Sequence, residues 1–137
     1  MGYEKVTFTA VDGSGQEIYH TNVMMALGET FVVICLDTIK NEAEKKLLLE
    51  KFKQTDKEII EISLNQMMSF AGNMLQVKNR NGDPLLVMSE QAFRALDKDQ
   101  VRKLNQHTNI LYSPLDTIEK YGGGSARCMM AEVFPPE

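Results

Sequence analysis

The chain has 137 residues, is 43% hydrophobic and 25% charged, and carries a formal net charge of -4. That length suits one ordinary domain with a real core, and the composition excludes a disordered chain. The fifteen Lys and Arg are scattered along an acidic sequence, which argues against a nucleic-acid surface, since that would gather them into a basic patch.

No apolar run approaches the ~20 residues that a bilayer-spanning helix needs. The opening Met1-Gly2-Tyr3-Glu4-Lys5 shows neither a charged-then-apolar signal segment nor a myristoylation pattern, so no membrane partner is expected. Two cysteines, Cys35 and Cys128, lie too far apart in sequence to suggest a disulfide framework, and a reducing cytoplasm is the expected location.

In chain order, residues 6–10 read as a strand with no unit before it. A strand over 22–26 leads through a turn at Gly28 to a strand over 31–36. A helix over 41–54 follows, with Asn41 as N-cap, Glu42 and Glu44 in its first turn, and Leu47, Leu48 and Phe52 on one face. Its lysines alternate with glutamates, the pattern of a solvated helix face. A strand over 58–62 closes the unit. The same order then returns: a strand over 73–77, a turn at Asn81-Gly82-Asp83, a strand over 84–88, helical sequence over 90–106 with Asp97 as a cap, and a strand over 109–112. A third unit begins with a strand from Cys128 to Val133 and stops.

The pattern predicts an α/β fold of two strand-strand-helix-strand units plus flanking strands, forming a single domain over 1–137. Repeats near fifty residues suggest blades or solenoid units, and two units with orphan strands do not close a ring. The chain is therefore expected to pair with another chain, or to be the carboxyl part of a longer protein.

The chemistry concentrates in Gly122-Gly123-Gly124-Ser125-Ala126-Arg127-Cys128. Glycines let the backbone turn sharply and approach a ligand, and a cysteine after such a loop, beside a cation, is placed to ionise and react. At the same place in the repeat stand His20-Thr21-Asn22 and Ala71-Gly72-Asn73. If equivalent strands converge on an axis, His20 meets Cys128 there, and a thiolate with an imidazole in reach supports nucleophilic catalysis. Asn22, Ser125 and Arg127 are candidate substrate contacts, whereas Asn73 reads as a turn or strand-register residue. Cys35, inside an apolar strand, belongs to the core, and His107, late in a polar helical segment, to the solvated surface. The nine Met are apolar filler. The dispersed His and Cys give no metal-ligand spacing, and no cofactor is expected.

Taken in order, Tyr19-His20-Thr21-Asn22-Val23, Phe70-Ala71-Gly72-Asn73-Met74-Leu75 and the stretch from Gly122 to Phe134 resemble the guanidine-modifying pentein superfamily. That group includes arginine deiminases, dimethylarginine hydrolases and glycine amidinotransferases. The likeness is greatest to bacterial amidinotransferase-like citrulline utilisation hydrolases. It implies a fragment of a pentein-type α/β propeller in which Cys128 attacks the central carbon of a guanidino or ureido group. His20 then serves as acid and base. Many relatives have Asp where this chain has Asn22, which favours a neutral ureido substrate such as citrulline over arginine. The family's other acidic site residues lie in an amino-terminal half, so an isolated chain is expected to be impaired. Arginine, citrulline, a methylated arginine and agmatine remain open as substrates, and water or an amine as acceptor. Unpaired edge strands point to a homodimer that covers them. A non-catalytic binding or assembly module of the same fold is the alternative.

Overall fold

A computed structural model describes residues 4–131. Short polar punctuation and apolar runs produce two successive units of like topology. In the first, β1 (Met25–Leu27) pairs antiparallel with β2 (Phe31–Ile34), and β2 pairs parallel with β3 (Glu58–Glu61). In the second, β4 (Leu75–Lys78) pairs antiparallel with β5 (Pro84–Ser89), which pairs parallel with β6 (Asn109–Ser113). Each parallel pair needs a crossover, and helices supply it. Helix α2 (Glu42–Gln54) links β2 to β3, while α4 (Glu90–Ala95) and α5 (Lys98–His107) link β5 to β6.

The expected units are thus present, except that the strand expected over 22–26 begins only at Met25, because residues 22–24 belong to a short helix. The helical stretch after β5 is broken in two because Asp97 caps a new helix through a reciprocal bond with Gln100. Asn41 caps α2 by accepting from the amides of Ala43 and Glu44. On α2 the buried residues are Leu48 and Phe52, while Leu47, about 100° away around the helix, is 45% exposed. The expected three-residue stripe is narrower by one.

β2 lies buried on both faces, with Phe31, Val32, Val33 and Ile34 all fully buried. Helix α5 packs on β3, and its His107 crosses to the first unit. The ring bonds the Glu58 carboxylate at 2.8 Å and Thr30 Oγ1 at 2.8 Å, and lies 5.5 Å from the Phe31 ring. His107 is therefore an inter-unit joint rather than a solvated end. The sequence hid this because its partners are 49 and 77 residues away.

Two expected strands do not form. Residues 6–10 make no ladder. They run over α2, where the Thr9 amide donates to the Glu44 carboxylate and Lys51 pairs with Glu4. The stretch after the glycines forms a 3-10 turn, Ala126–Met129, with the Cys128 amide donating to the Ser125 carbonyl and the Met130 amide to that of Arg127. Bonds within the turn take up amides that a strand would offer to a neighbour. The remainder of the expected strand, 132–133, lies outside the described residues. Three short helices add to the sequence reading: α1 (Thr21–Met24), α3 (Leu64–Met68) and α6 (Asp116–Gly122). Among the described residues no helix is long and apolar enough to cross a membrane.

Candidate active site

The entries to the two units and the turn after α6 meet at one place. Gly123 ends α6 in the left-handed region, with φ +67, a conformation that a side chain would strain. At Gly124 a Cβ would stand 3.1 Å from Cys128 Cβ and 3.2 Å from its Sγ, so the backbone passes close against the sulfur. The 3-10 turn then presents Cys128 as an exposed free thiol, while Cys35 is buried and also free.

A cavity of about 590 Å³ opens over the sulfur, lined by His20, Asn22, Phe70, Asn73, Arg127 and Cys128 among others. The structure brings His20 and Cys128 to one cavity, with Asn22 and Arg127 beside them. Tyr19 packs edge-on against the His20 ring, at 4.8 Å between centroids. The Arg127 guanidinium donates to the Met130 carbonyl at 3.1 Å. No Asp or Glu lines this cavity among the described residues. A second cavity, of about 810 Å³, lies along β1 and β4 and shares Asn22 and Arg127 with the first.

Asn73 is the residue that sequence reasoning placed elsewhere. It is 3% exposed, and its side chain bridges three segments. Nδ2 donates to the Asn22 carbonyl at 2.9 Å and approaches Cys128 Sγ at 3.2 Å, and Oδ1 accepts from the Arg127 amide at 3.0 Å. Phe70, with φ +64, makes the tight turn that swings Asn73 inward, its carbonyl accepting from the Asn73 amide at 2.9 Å. A left-handed bulky residue is strained, and such strain persists only where surrounding contacts hold it. Asn22, at the equivalent place of the first unit, reaches Sγ with its amide at 3.9 Å. That equivalence was the available signal for Asn73.

Ser125 requires a correction. It is fully buried and its hydroxyl donates to Glu119 Oε1 at 2.6 Å, beneath the turn, so it offers the cavity nothing. The sequence placed it next to Cys128, but a 3-10 turn points successive side chains to different sides.

Two hairpin-helix-strand units, converging on a cysteine turn, a histidine and two asparagines, define a fragment of the guanidine-modifying pentein fold. The family model for eukaryotic N,N-dimethylarginine dimethylhydrolase matches residues 1–135, and the chain belongs to that family. It is one of the groups that the motifs resemble. No curated protein matches the chain.

Two solved structures share the fold. One is apo ArgZ, described as an arginine dihydrolase from the ornithine-ammonia cycle in cyanobacteria. Its TM-score is 0.67 at 17% identity, covering 93% of this chain and 18% of that one. The other is a substituted N-terminal domain of ArgZ covalently bound to a reaction intermediate. Its TM-score is 0.62 at 13% identity, covering 88% of this chain and 39% of that one. The chain thus spans well under half of either.

Proposed function

We propose that the chain carries the nucleophile of a hydrolase acting on C–N bonds of guanidino or ureido compounds, with Cys128 attacking and His20 moving protons. The observation that carries this reading is the Cys128 sulfur, 3.2 Å from a buried amide donor, in a cavity that His20 also lines. A donor there is placed to hold the negative charge of an attacking sulfur.

In the proposed reaction the thiolate adds to the central carbon, and the C=O or C=N electron pair moves onto its heteroatom. Collapse breaks the bond to the departing amine, which leaves with the electron pair and takes a proton from His20. A carbamoyl or amidino group then sits on sulfur. Water gives a proton to His20, attacks the carbon, and the C–S bond breaks to return the thiolate. An amine in place of water would make the same site a transferase.

The family's description names N,N-dimethylarginine, and ArgZ is described as acting on arginine. The described lining holds no carboxylate to balance a guanidinium, while Asn22 offers a neutral amide and Arg127 a cation. These features support a neutral ureido substrate of citrulline type for the chain by itself. A guanidinium substrate would need carboxylates from outside the described residues. On that reading residues 1–137 form one domain, the carboxyl-terminal portion of a propeller, and have little turnover alone. A second copy is the proposed cover for β6, where Leu111 and Tyr112 stand 52% and 45% exposed. Sedimentation giving only a monomer at high concentration would remove that part. A reducing cytoplasm, which keeps Cys128 a free thiol, is the proposed setting.

The test is intact mass after brief exposure to chloroacetamidine at neutral pH, with Cys128→Ser as control. Fast labelling at Cys128 that slows in His20→Ala supports the site. Slow labelling shared equally with Cys35 would instead favour a non-catalytic module of this fold, a reading the carboxylate-free lining also fits.

A further inference from the structure

One buried carboxyl group lies outside the cavity lining. Glu119, in α6, is 7% exposed. Its Oε1 accepts the Ser125 hydroxyl at 2.6 Å, while Oε2 is buried with no partner among the described residues. Burying a carboxyl group with an unpaired oxygen costs stability, and Leu there would be cheaper. A buried group kept at such a cost invites a positional or chemical role.

What Glu119 holds is the turn carrying the nucleophile. Ser125 is fully buried, and its carbonyl accepts the Cys128 amide at 3.1 Å. Fixing the Ser125 side chain from below therefore fixes the hydrogen bond that orients Cys128. From above, Asn73 grips the same turn through the Arg127 amide and the sulfur. Residues 125, 127 and 128 are thus held by two separate segments, one through Glu119 and one through Asn73. We infer that Glu119 is a positioning residue for Cys128, acting through Ser125. Ser125 belongs to this buried support rather than to the substrate surface. The inference rests on Cys128 being the nucleophile.

Two variants separate position from packing. Glu119→Leu fills the space and removes both the acceptor and the unpaired oxygen. Glu119→Gln keeps an acceptor for the Ser125 hydroxyl. The expected result is that Glu119→Leu still folds, the removal of the unpaired oxygen offsetting the Ser125 hydroxyl left without its acceptor, yet its Cys128 reacts with chloroacetamidine about tenfold more slowly. That factor is the size of one lost hydrogen bond. Glu119→Gln stays within about threefold of the parent, on the same scale.

Parent-like labelling in Glu119→Leu, or an equal loss in both variants, overturns the inference. The side-chain amide signals of Asn73, read by NMR, give a second measure that needs no reactivity. They should move in Glu119→Leu and stay in Glu119→Gln, and unmoved signals in both variants also overturn the inference. If the parent's Cys128 reacts no faster than a cysteine in a short peptide, the nucleophile reading fails. The NMR comparison still decides whether Glu119 holds the turn.

Discussion

Replacing Asn73 by Ala should cost both stability and reactivity, in amounts the geometry fixes. The side chain is 97% buried, from its 3% exposure, and joins three otherwise separate segments. Its loss leaves the Asn22 carbonyl and the Arg127 amide without these partners, at 2.9 and 3.0 Å respectively. A net hydrogen bond contributes about 0.5–1.5 kcal/mol, and an abandoned buried group costs about 1–3 kcal/mol. Both abandoned groups belong to half-buried residues, so water recovers part of the loss, and about 2–3 kcal/mol in total is expected. For a chain of this length that lowers the unfolding temperature by roughly 6–12 °C.

Reactivity adds a separate term. The sulfur loses its donor at 3.2 Å; a hydrogen bond to a charged group is worth about 1.5–3 kcal/mol, and since a less stabilised thiolate attacks faster in itself, about half of that reaches the rate and alkylation should slow roughly three- to tenfold. Intact-mass labelling with chloroacetamidine measures this, with Cys35 as a buried internal control. Asn73→Asp sharpens the test. It keeps the acceptor for Arg127 but sets a buried carboxylate oxygen against the Asn22 carbonyl and the sulfur, so both labelling and stability should fall further than in Asn73→Ala. Unchanged labelling in both variants, with stability within about 0.5 kcal/mol of the parent, would refute the reasoning.

Gly72→Ala should unfold the chain or destabilise it by several kcal/mol, because the new Cβ would meet the Val23 carbonyl oxygen at 2.5 Å and Met24 backbone at 2.9 Å; a calorimetric transition like the parent's would refute this. His107→Ala removes the bonds to Glu58 and Thr30 and the packing on Phe31, and should cost about 2 kcal/mol in urea unfolding. Burial, then the nearby Asp37 carboxylate, pushes the Cys35 thiol up. The unfolded chain therefore releases this proton first as pH rises past about 8.5, and stability falls there. The contribution is complete below the unfolded value and is lost above it. Cys35→Val should flatten that fall in unfolding curves taken from pH 7 to 10, and an identical slope in both proteins would contradict it.

The repeat was legible because each unit writes its own local signals. Asn41 and Asp97 cap helices within their own first turns, and the apolar runs of β2 and β5 are bounded by Gly28 and by Asn81-Gly82-Asp83. What escaped were choices made between distant segments. Residues 6–10 have strand composition, yet they form no ladder; the Thr9 amide donates to Glu44 of α2, and the Ala10 carbonyl accepts from the Ile18 amide. The segment after Gly124 has β-like apolar residues, but the bond from the Cys128 amide to the Ser125 carbonyl bends it. The roles of Ser125 and Asn73 were exchanged for the same reason. Ser125 lies three residues from Cys128 in sequence and beneath it in space, while Asn73 lies 55 residues away and touches the sulfur. Sequence proximity measures only the first separation.

The two asparagines show how a repeated unit can yield an asymmetric site. Asn22 and Asn73 occupy equivalent entries, one before β1 and one before β4. The turn through Phe70 drives Asn73 into the interior, where both its amide hydrogens go to protein partners and its oxygen accepts from Arg127. Asn22 enters through the short helix α1 instead, stays half-buried, and holds its amide 3.9 Å from the sulfur. A contact that long is weak, so its donor remains available to a ligand atom above the cysteine. One copy is committed to shaping the nucleophile and the other is left facing the cavity. Exchanging Asn for Asp would act differently at the two places. At Asn73 it sets a carboxylate against the sulfur within a buried cluster. At Asn22 it adds a charge at the cavity wall beside Arg127, where it would change which ligands bind more than whether the fold survives.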